Sequence, residues 1–316
     1  MSGFFVKDNH SNLLKTKMKT LTLSIVLLAT LHFTLTFAQA DYAFKVMVNK
    51  GQNEVKAGEA WQPIKTGSSL KSSDELKLGD NAYLGLIHVN GKPLELRKAG
   101  KYNVAELSAK MGGSKSVVNK YTDFILSSNV EKKNRLTATG AVHRGGVTTK
   151  VYLPASEHAI LFGDKVILDW ERDSTITTYV VSLKSIFGDD LMTTETTSNL
   201  VIDLNDPKFA EEDNIMVEVY PKGQPEKTPD PAFVIKKLSK ADKERIKTQL
   251  SGISEISAEE SALSKLIMAG FYEENKLLID AATAYQEAIA LAPEVEQYKE
   301  DYNNFLLRNA IKSKTK

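Results

Sequence analysis

Short alternating apolar runs fill the first two-thirds of the chain, and helical periods fill the last third. In "FKVMV" the pattern places Phe44, Val46 and Val48 on one face, as a half-buried strand requires. "AYLGLIHV" is a longer apolar run, preceded by Gly79-Asp80-Asn81 and followed by Asn90-Gly91. Asn-Gly between apolar runs predicts a tight hairpin, with "PLELR" as the return strand. Gly100 breaks the chain before "KYNV". After Gly112-Gly113, Val117, Val118, Tyr121 and Ile125 recur at helical spacing, which predicts a packed helix over 114–128. "TATGAVHRGG" reads as a loop.

Alternation then resumes in Val166/Leu168/Trp170, Tyr179/Val181/Leu183, Leu200/Ile202/Leu204 and Ile215/Val217/Val219. Gly188-Asp189-Asp190 supplies a turn, and Pro221, Pro225, Pro229 and Pro231 mark a polar edge. Strands at this spacing predict an antiparallel sandwich. From Ser239 the period becomes helical, with Ser239/Asp242 and Ser257/Glu260 as capping pairs. Gly252 is the expected stop of the first helix, which carries Ile246, Leu250 and Ile253 on one face. The fold class expected is mainly β in the N-terminal two-thirds, a small β domain plus a β-sandwich, with an all-α helical hairpin at the C-terminus.

The first 40 residues read differently. Lys15, Lys17 and Lys19 precede an apolar run from Leu21 to Phe37, and Ala38-Gln39-Ala40 leads into Asp41. These three parts predict a secretory signal peptide cleaved after Ala40. Met18 opens a more typical leader, which leaves open whether residues 1–17 are translated. The expected division is a signal peptide at 1–40, a small β domain at 41–110 and a helical connector with its loop at 111–149. A sandwich follows at 150–236, then a helical region at 237–316.

Composition narrows the function. The chain has 316 residues, 42% hydrophobic and 26% charged, with a net charge of +1 and no Cys. Removing residues 1–40 takes away four Lys and one Asp, so the remaining chain stands at −2. That charge suits neither nucleic acid nor anionic lipid as a target. Without Cys there is no thiol catalysis and no disulfide staple. His88, His143 and His158 have no second His at ligand spacing, so no metal is expected. "GGSKS" at 112–116 lacks the ending of a phosphate loop, and no other cofactor motif occurs. His143-Arg144-Gly145-Gly146 is a candidate polar loop, its glycines allowing backbone to approach an anion.

Trp61 stands out in the turn-rich stretch "AWQPIKTGSSL". It is expected to plug the small β core, the alternative being a platform on which a ligand stacks. Around it, Gly51, Val55, Trp61, Pro63, Gly67, Leu70, Asp74, Leu76, Asn81-Ala82, Leu84, Leu86, Gly91, Leu94, Leu96 and Gly100 follow one another in an ordered pattern. Residues 44–104 thereby resemble the FecR-like domain of bacterial extracytoplasmic proteins, although Ser73-Asp74 stands where that family has Gly-Asp. The resemblance implies a small β fold and an envelope address, without sigma-factor regulation.

Residues 150–236, with Trp170 and Tyr179, resemble a fibronectin type III or immunoglobulin-like sandwich. Met268, Ala269, Tyr272, Leu278, Ala281, Tyr285, Ala288 and Pro293 make residues 262–295 similar to a single tetratricopeptide repeat. One repeat cannot cover its own apolar faces. Leu263, Ile267, Phe271, Tyr298, Tyr302 and Phe305 are therefore the candidate partner surface. All three module types are usually binding modules. The expectation is an exported, non-enzymatic binding or scaffold protein of the bacterial envelope, periplasmic or at the cell surface. It would work through protein or glycan contacts, without catalytic residues, cofactor, nucleic acid or stable membrane insertion. The alternatives are a FecR-like signalling component and an enzyme acting on cell wall or polysaccharide.

Overall fold

The computed structural model describes residues 42–112, 118–131, 148–228, 232–253, 256 and 259–312. The expected leader therefore lies outside the described residues. The described chain is mainly β up to Lys237 and helical beyond it, which is the expected fold class.

The first β module contains β1 (Phe44–Lys50), β2 (Asn53–Ala57), β3 (Ala60–Pro63) and β4 (Ser69–Leu70). It continues with β5 (Glu75–Leu78), β6 (Tyr83–His88), β7 (Pro93–Leu96) and β8 (Gly100–Asn103). They form two four-stranded sheets, ordered β4-β1-β6-β7 and β3-β2-β5-β8. Between them lies a core of Phe44, Val46, Ile64, Leu70, Leu76, Leu78, Leu84, Leu86 and Leu96. Asn103 caps the short helix α1 (Val104–Ala109) by accepting a bond from the Glu106 amide at 3.2 Å. The Asn90-Gly91 hairpin forms, but only Gly91 takes a positive φ of 96°. The Gly91 amide bonds back to the His88 carbonyl at 2.7 Å. A turn closed by a left-handed glycine makes a longer loop than the two-residue type.

Strand β1 departs from simple alternation. Its register against β6 shifts between Val46 and Val48, leaving Met47 as a bulge. The extra residue inverts the pleat. Phe44 and Val46 face the first core, whereas Met47 and Val48 face a second core built mainly from helices. Val48 is thus not on the face of Phe44 and Val46. The sheet β4-β1-β6-β7 is covered on both sides, which is why every residue of β6 is buried.

Helix α2 (Val118–Glu131) buries Val118, Tyr121 and Ile125 in this second core. The second β module follows, with β9 (Ile160–Leu161), β10 (Lys165–Leu168), β11 (Tyr179–Ser185) and β12 (Asp190–Thr196). Its remaining strands are β13 (Leu200–Asp203), β14 (Asn214–Pro221) and β15 (Phe233–Lys237). A five-stranded sheet, β12-β11-β14-β15-β9, and a two-stranded sheet, β10-β13, share one core. Trp170 sits in that core with its ring 5.4 Å from Tyr179, whose hydroxyl accepts a bond from the Asp173 amide at 2.9 Å.

The helical region contains α3 (Lys240–Ser251), α4 (Ala262–Glu274), α5 (Leu278–Leu291) and α6 (Glu296–Arg308). Ser239 caps α3 and Ser261 caps α4; Ser257 lies outside the described residues. The helices rest on both β modules. Towards the first, the Tyr83 and Tyr298 hydroxyls meet at 2.7 Å, and Glu95 accepts a bond from the Leu263 amide at 2.8 Å. The Gln297 amide donates to the Met47 carbonyl at 2.8 Å and its oxygen accepts from the Asn49 amide at 3.2 Å. Towards the second, Asp280 accepts from the Phe162 and Gly163 amides at 2.9 and 2.7 Å. Gln286 donates to the Ile167 carbonyl at 2.9 Å, and Thr283 accepts from the Ile167 amide at 3.2 Å.

Candidate functional site

The helical faces expected to meet a partner are used inside the chain. Leu263, Ile267, Phe271, Tyr298 and Phe305 have no exposed surface, and Tyr302 retains only 8%. The ring of Phe271 meets Tyr121 edge-on at 5.3 Å, and Phe305 lies 5.1 Å from Tyr285. Tyr298 packs on Tyr83 of β6. The expectation of a partner surface at these six positions is corrected: the first β module and α2 cover Leu263, Phe271 and Tyr298, and α6 packs Tyr302 and Phe305 on Tyr285 of α5. Lys265, polar where the repeat pattern has a large apolar residue, sits between Glu260 and Glu287 at 3.1 Å from each. His143 and Arg144 lie outside the described residues.

Trp61 also departs from its first expectation. It is half-buried and does not belong to the first core. The reason is register. Gly58, with φ of 76°, and Glu59 form a two-residue turn, so Ala60 pairs with Ala57 and Trp61 with Lys56. Side chains directly opposite share a face. Val55 packs towards the core, so Lys56 and Trp61 point away from it. On β5, Leu76 and Leu78 are buried while Glu75 and Lys77 are exposed. On β8, Lys101 pairs with Lys77. The outer face of β3-β2-β5-β8 therefore carries Glu54, Lys56, Trp61, Glu75, Lys77 and Lys101.

The Lys77 and Lys101 ammonium groups each lie 5.9 Å from the centre of the Trp61 ring. Neighbouring strands stand about 4.8 Å apart, so the indole leans across β2 to meet side chains from β5 and β8. Lys77 is also held by Glu54 at 3.0 Å. The result is a half-buried indole with two cations over its ring, one of them paired with an acid. Such a surface stacks on a flat apolar ring or sugar face, while the ammonium groups pair with an anionic substituent. The two-residue turn was the signal for this placement: counting register across Gly58-Glu59 puts Trp61 opposite Lys56 and away from Val55.

Other polar clusters serve the fold. Glu273, almost fully buried, accepts from Arg308 and from Asn309, and its carboxylate and Arg308 both meet the Tyr285 hydroxyl. A cleft of about 370 Å³ is lined by Lys92, Pro93, Met111 and Glu259, and burial raises the Glu259 carboxyl above its ordinary value. Among the described residues no group of three or more His, Cys, Asp or Glu is placed to hold a metal ion. No helix among them is long and apolar enough to cross a membrane. No family model matches the chain, and no curated protein matches it.

Proposed function

We propose that the chain is an exported, non-enzymatic binding or scaffold protein of the bacterial envelope, and that its contact surface lies on its β modules. One observation carries the reading. The helices spend their apolar faces internally, whereas Trp61 stays partly open beside Lys77 and Lys101. The leader pattern of residues 1–40 and the FecR-like pattern of residues 44–104 support the envelope address. The ligand class that suits the platform is a glycan, free or attached to protein, bearing carboxylate groups.

The test uses Trp170→Phe as background, so that Trp61 is the only tryptophan emitter. Titration with acidic cell-wall oligosaccharides should give a saturable change in Trp61 emission, and Lys77→Ala with Lys101→Ala should weaken binding at least about tenfold. A half-exposed Trp61 should also be quenched by iodide, and Trp61→Ala should cost under about 1 kcal/mol of stability, as surface changes do. Unchanged emission with every acidic and neutral cell-wall glycan tried, or turnover of any of them, refutes the proposal.

A further inference from the structure

The free sheet edges of the β modules are unequal. Strands β4 and β9 have two residues each, and β3, β7, β8, β10 and β13 have four. Strand β3 also ends in Pro63, β7 starts with Pro93, and β10 is met by Thr283 and Gln286 of α5. Short strands, prolines and helical cover keep an edge from pairing. Strand β12 is seven residues long, contains no Pro, Lys or Arg, and is terminal in its sheet. Among the described residues no backbone bond reaches its far side.

A bulge near its start sorts the side chains of β12. Leu183 pairs with Met192 and Lys184 with Asp190, so Leu191 has no partner on β11. Val181 and Leu183 face the core, and Thr194 and Met192 opposite them share that side. Val180, Ser182 and Lys184 face outward, and so do Glu195, Thr193 and Asp190. The bulge thereby brings Asp190 into one row with Thr193 and Glu195, all three exposed. Lys222 pairs with Glu195 at 2.7 Å and Lys184 with Glu218 at 2.8 Å, which leaves Asp189 and Asp190 in excess. The turn before the strand is fixed. Ser185 Oγ accepts from the Phe187 and Asp189 amides at 3.2 and 3.1 Å, and holds Phe187 87% exposed.

We propose that β12 is the docking edge for an extended, cationic segment of a partner protein, with the pattern cation–apolar–small–apolar–cation. Charge complementarity selects this occupant. Every charge on the strand is acidic, so a second copy would set acid near acid, whereas a cationic strand is attracted. The pleat sets the pattern. A strand laid on the free edge meets Asp190, Thr193 and Glu195 on its outer side and Met192 and Thr194 on its inner side. Cations at its two ends lie beside Asp190 and Glu195, and a Lys stem is long enough to pass Leu191 at the bulge. The small residue lies beside Thr193. The two apolar residues turn inward to Met192, which is half-buried at the margin of the second core. Past Asp190, Ile186 and Phe187 offer an apolar contact to the residue that follows the cation. Backbone bonds to the edge supply affinity, and the alternating side chains supply specificity.

This inference does not rest on the glycan reading, and Trp61→Ala should leave it untouched. The test adds a dye-labelled peptide with blocked ends, Leu-Lys-Val-Thr-Val-Lys-Leu, to the full chain. Its symmetry serves either strand direction. Anisotropy should rise and saturate below about 1 mM, the range of weak protein contacts. Two further peptides test charge and pattern. One carries Glu in both Lys places. The other, Leu-Val-Lys-Thr-Lys-Val-Leu, has the same composition with its two faces exchanged. Each should bind at least about tenfold more weakly than the first. Asp190→Lys should weaken the first peptide at least about tenfold, and Phe187→Ala at least about threefold. Circular dichroism checks that both variants fold.

Hydrogen exchange locates the contact. Pairing along the edge should slow exchange of backbone amides in β12 and leave those of β3 and β8 unchanged. Absence of saturable binding up to about 1 mM overturns the proposal. So does equal binding of the acidic or the face-exchanged peptide, or protection that appears only outside β12. Binding that folded Asp190→Lys or folded Phe187→Ala leaves intact overturns it as well.

Discussion

Asp280 holds the helical region to the second β module, and its protonation should make that junction respond to pH. The carboxylate lies in the first turn of α5, is 5% exposed, and accepts two backbone bonds from Phe162 and Gly163. Burial pushes its pKa from 3.8 up to about 6, against the opposing pull of the two amides and of Lys243. The folded state thus holds the proton more tightly than the unfolded chain does. Stability from this group is full below the unfolded value near 3.8 and is lost as pH rises to about 6. A difference of roughly two pH units corresponds to about 3 kcal/mol.

The perturbation is Asp280→Asn. The amide oxygen can still accept one of the two backbone bonds, but its NH2 faces the other N–H as donor against donor. That costs about 1–3 kcal/mol at every pH. The pH-dependent part vanishes in the variant. Urea unfolding between pH 4 and 8 at constant ionic strength, followed by Trp170 emission in a Trp61→Phe background, isolates it. Wild type should gain up to about 3 kcal/mol over Asp280→Asn as pH falls from 8 to 4. A difference that stays constant with pH refutes the reasoning, as does one in which wild type gains towards high pH. The second result would mean that the two amides and the positive end of α5 outweigh burial.

Removing one hydroxyl of the buried Tyr83–Tyr298 pair, by Tyr83→Phe or Tyr298→Phe, should cost about 1–3 kcal/mol because the other is left without its partner. The double variant should cost less than the two singles together, measured by denaturant unfolding, and strict additivity would refute the coupling. A Cβ on Gly270 would lie 2.8 Å from Ile125 Cδ1 and 3.3 Å from the Tyr121 carbonyl. Gly270→Ala should therefore lower stability by about 1–2 kcal/mol despite the better helix propensity of Ala, and a stabilised variant would refute the close α2–α4 contact.

Much of the architecture was legible locally. Ile215, Val217 and Val219 alternate as a strand with one buried face does, and Ser239 caps a helix where the pattern placed one. What escaped was non-local. Nothing in "FKVMV" marks Met47 as a bulge, because the inversion is needed only once helices cover the far side of β1. The apolar faces of α4 and α6 were legible as faces, but not their cover. Leu263 approaches β6 at Gly85, and Tyr298 finds Tyr83, more than 170 positions earlier in the chain. Trp61 escaped for a different reason. Its placement follows from the register across a two-residue turn, whereas a bulky aromatic in a β stretch on its own favours the core.

The doubly covered sheet has a consequence for the order of events during synthesis. A chain made from its N-terminus completes β1 and β6 long before α4 and α6 exist. Until then Met47, Val48, Tyr83 and Ile87 form an open apolar surface on a finished sheet. Early domains ordinarily fold as soon as they emerge. Here one face of the earliest sheet waits for the last helices, so that face is open to misassembly until they are made.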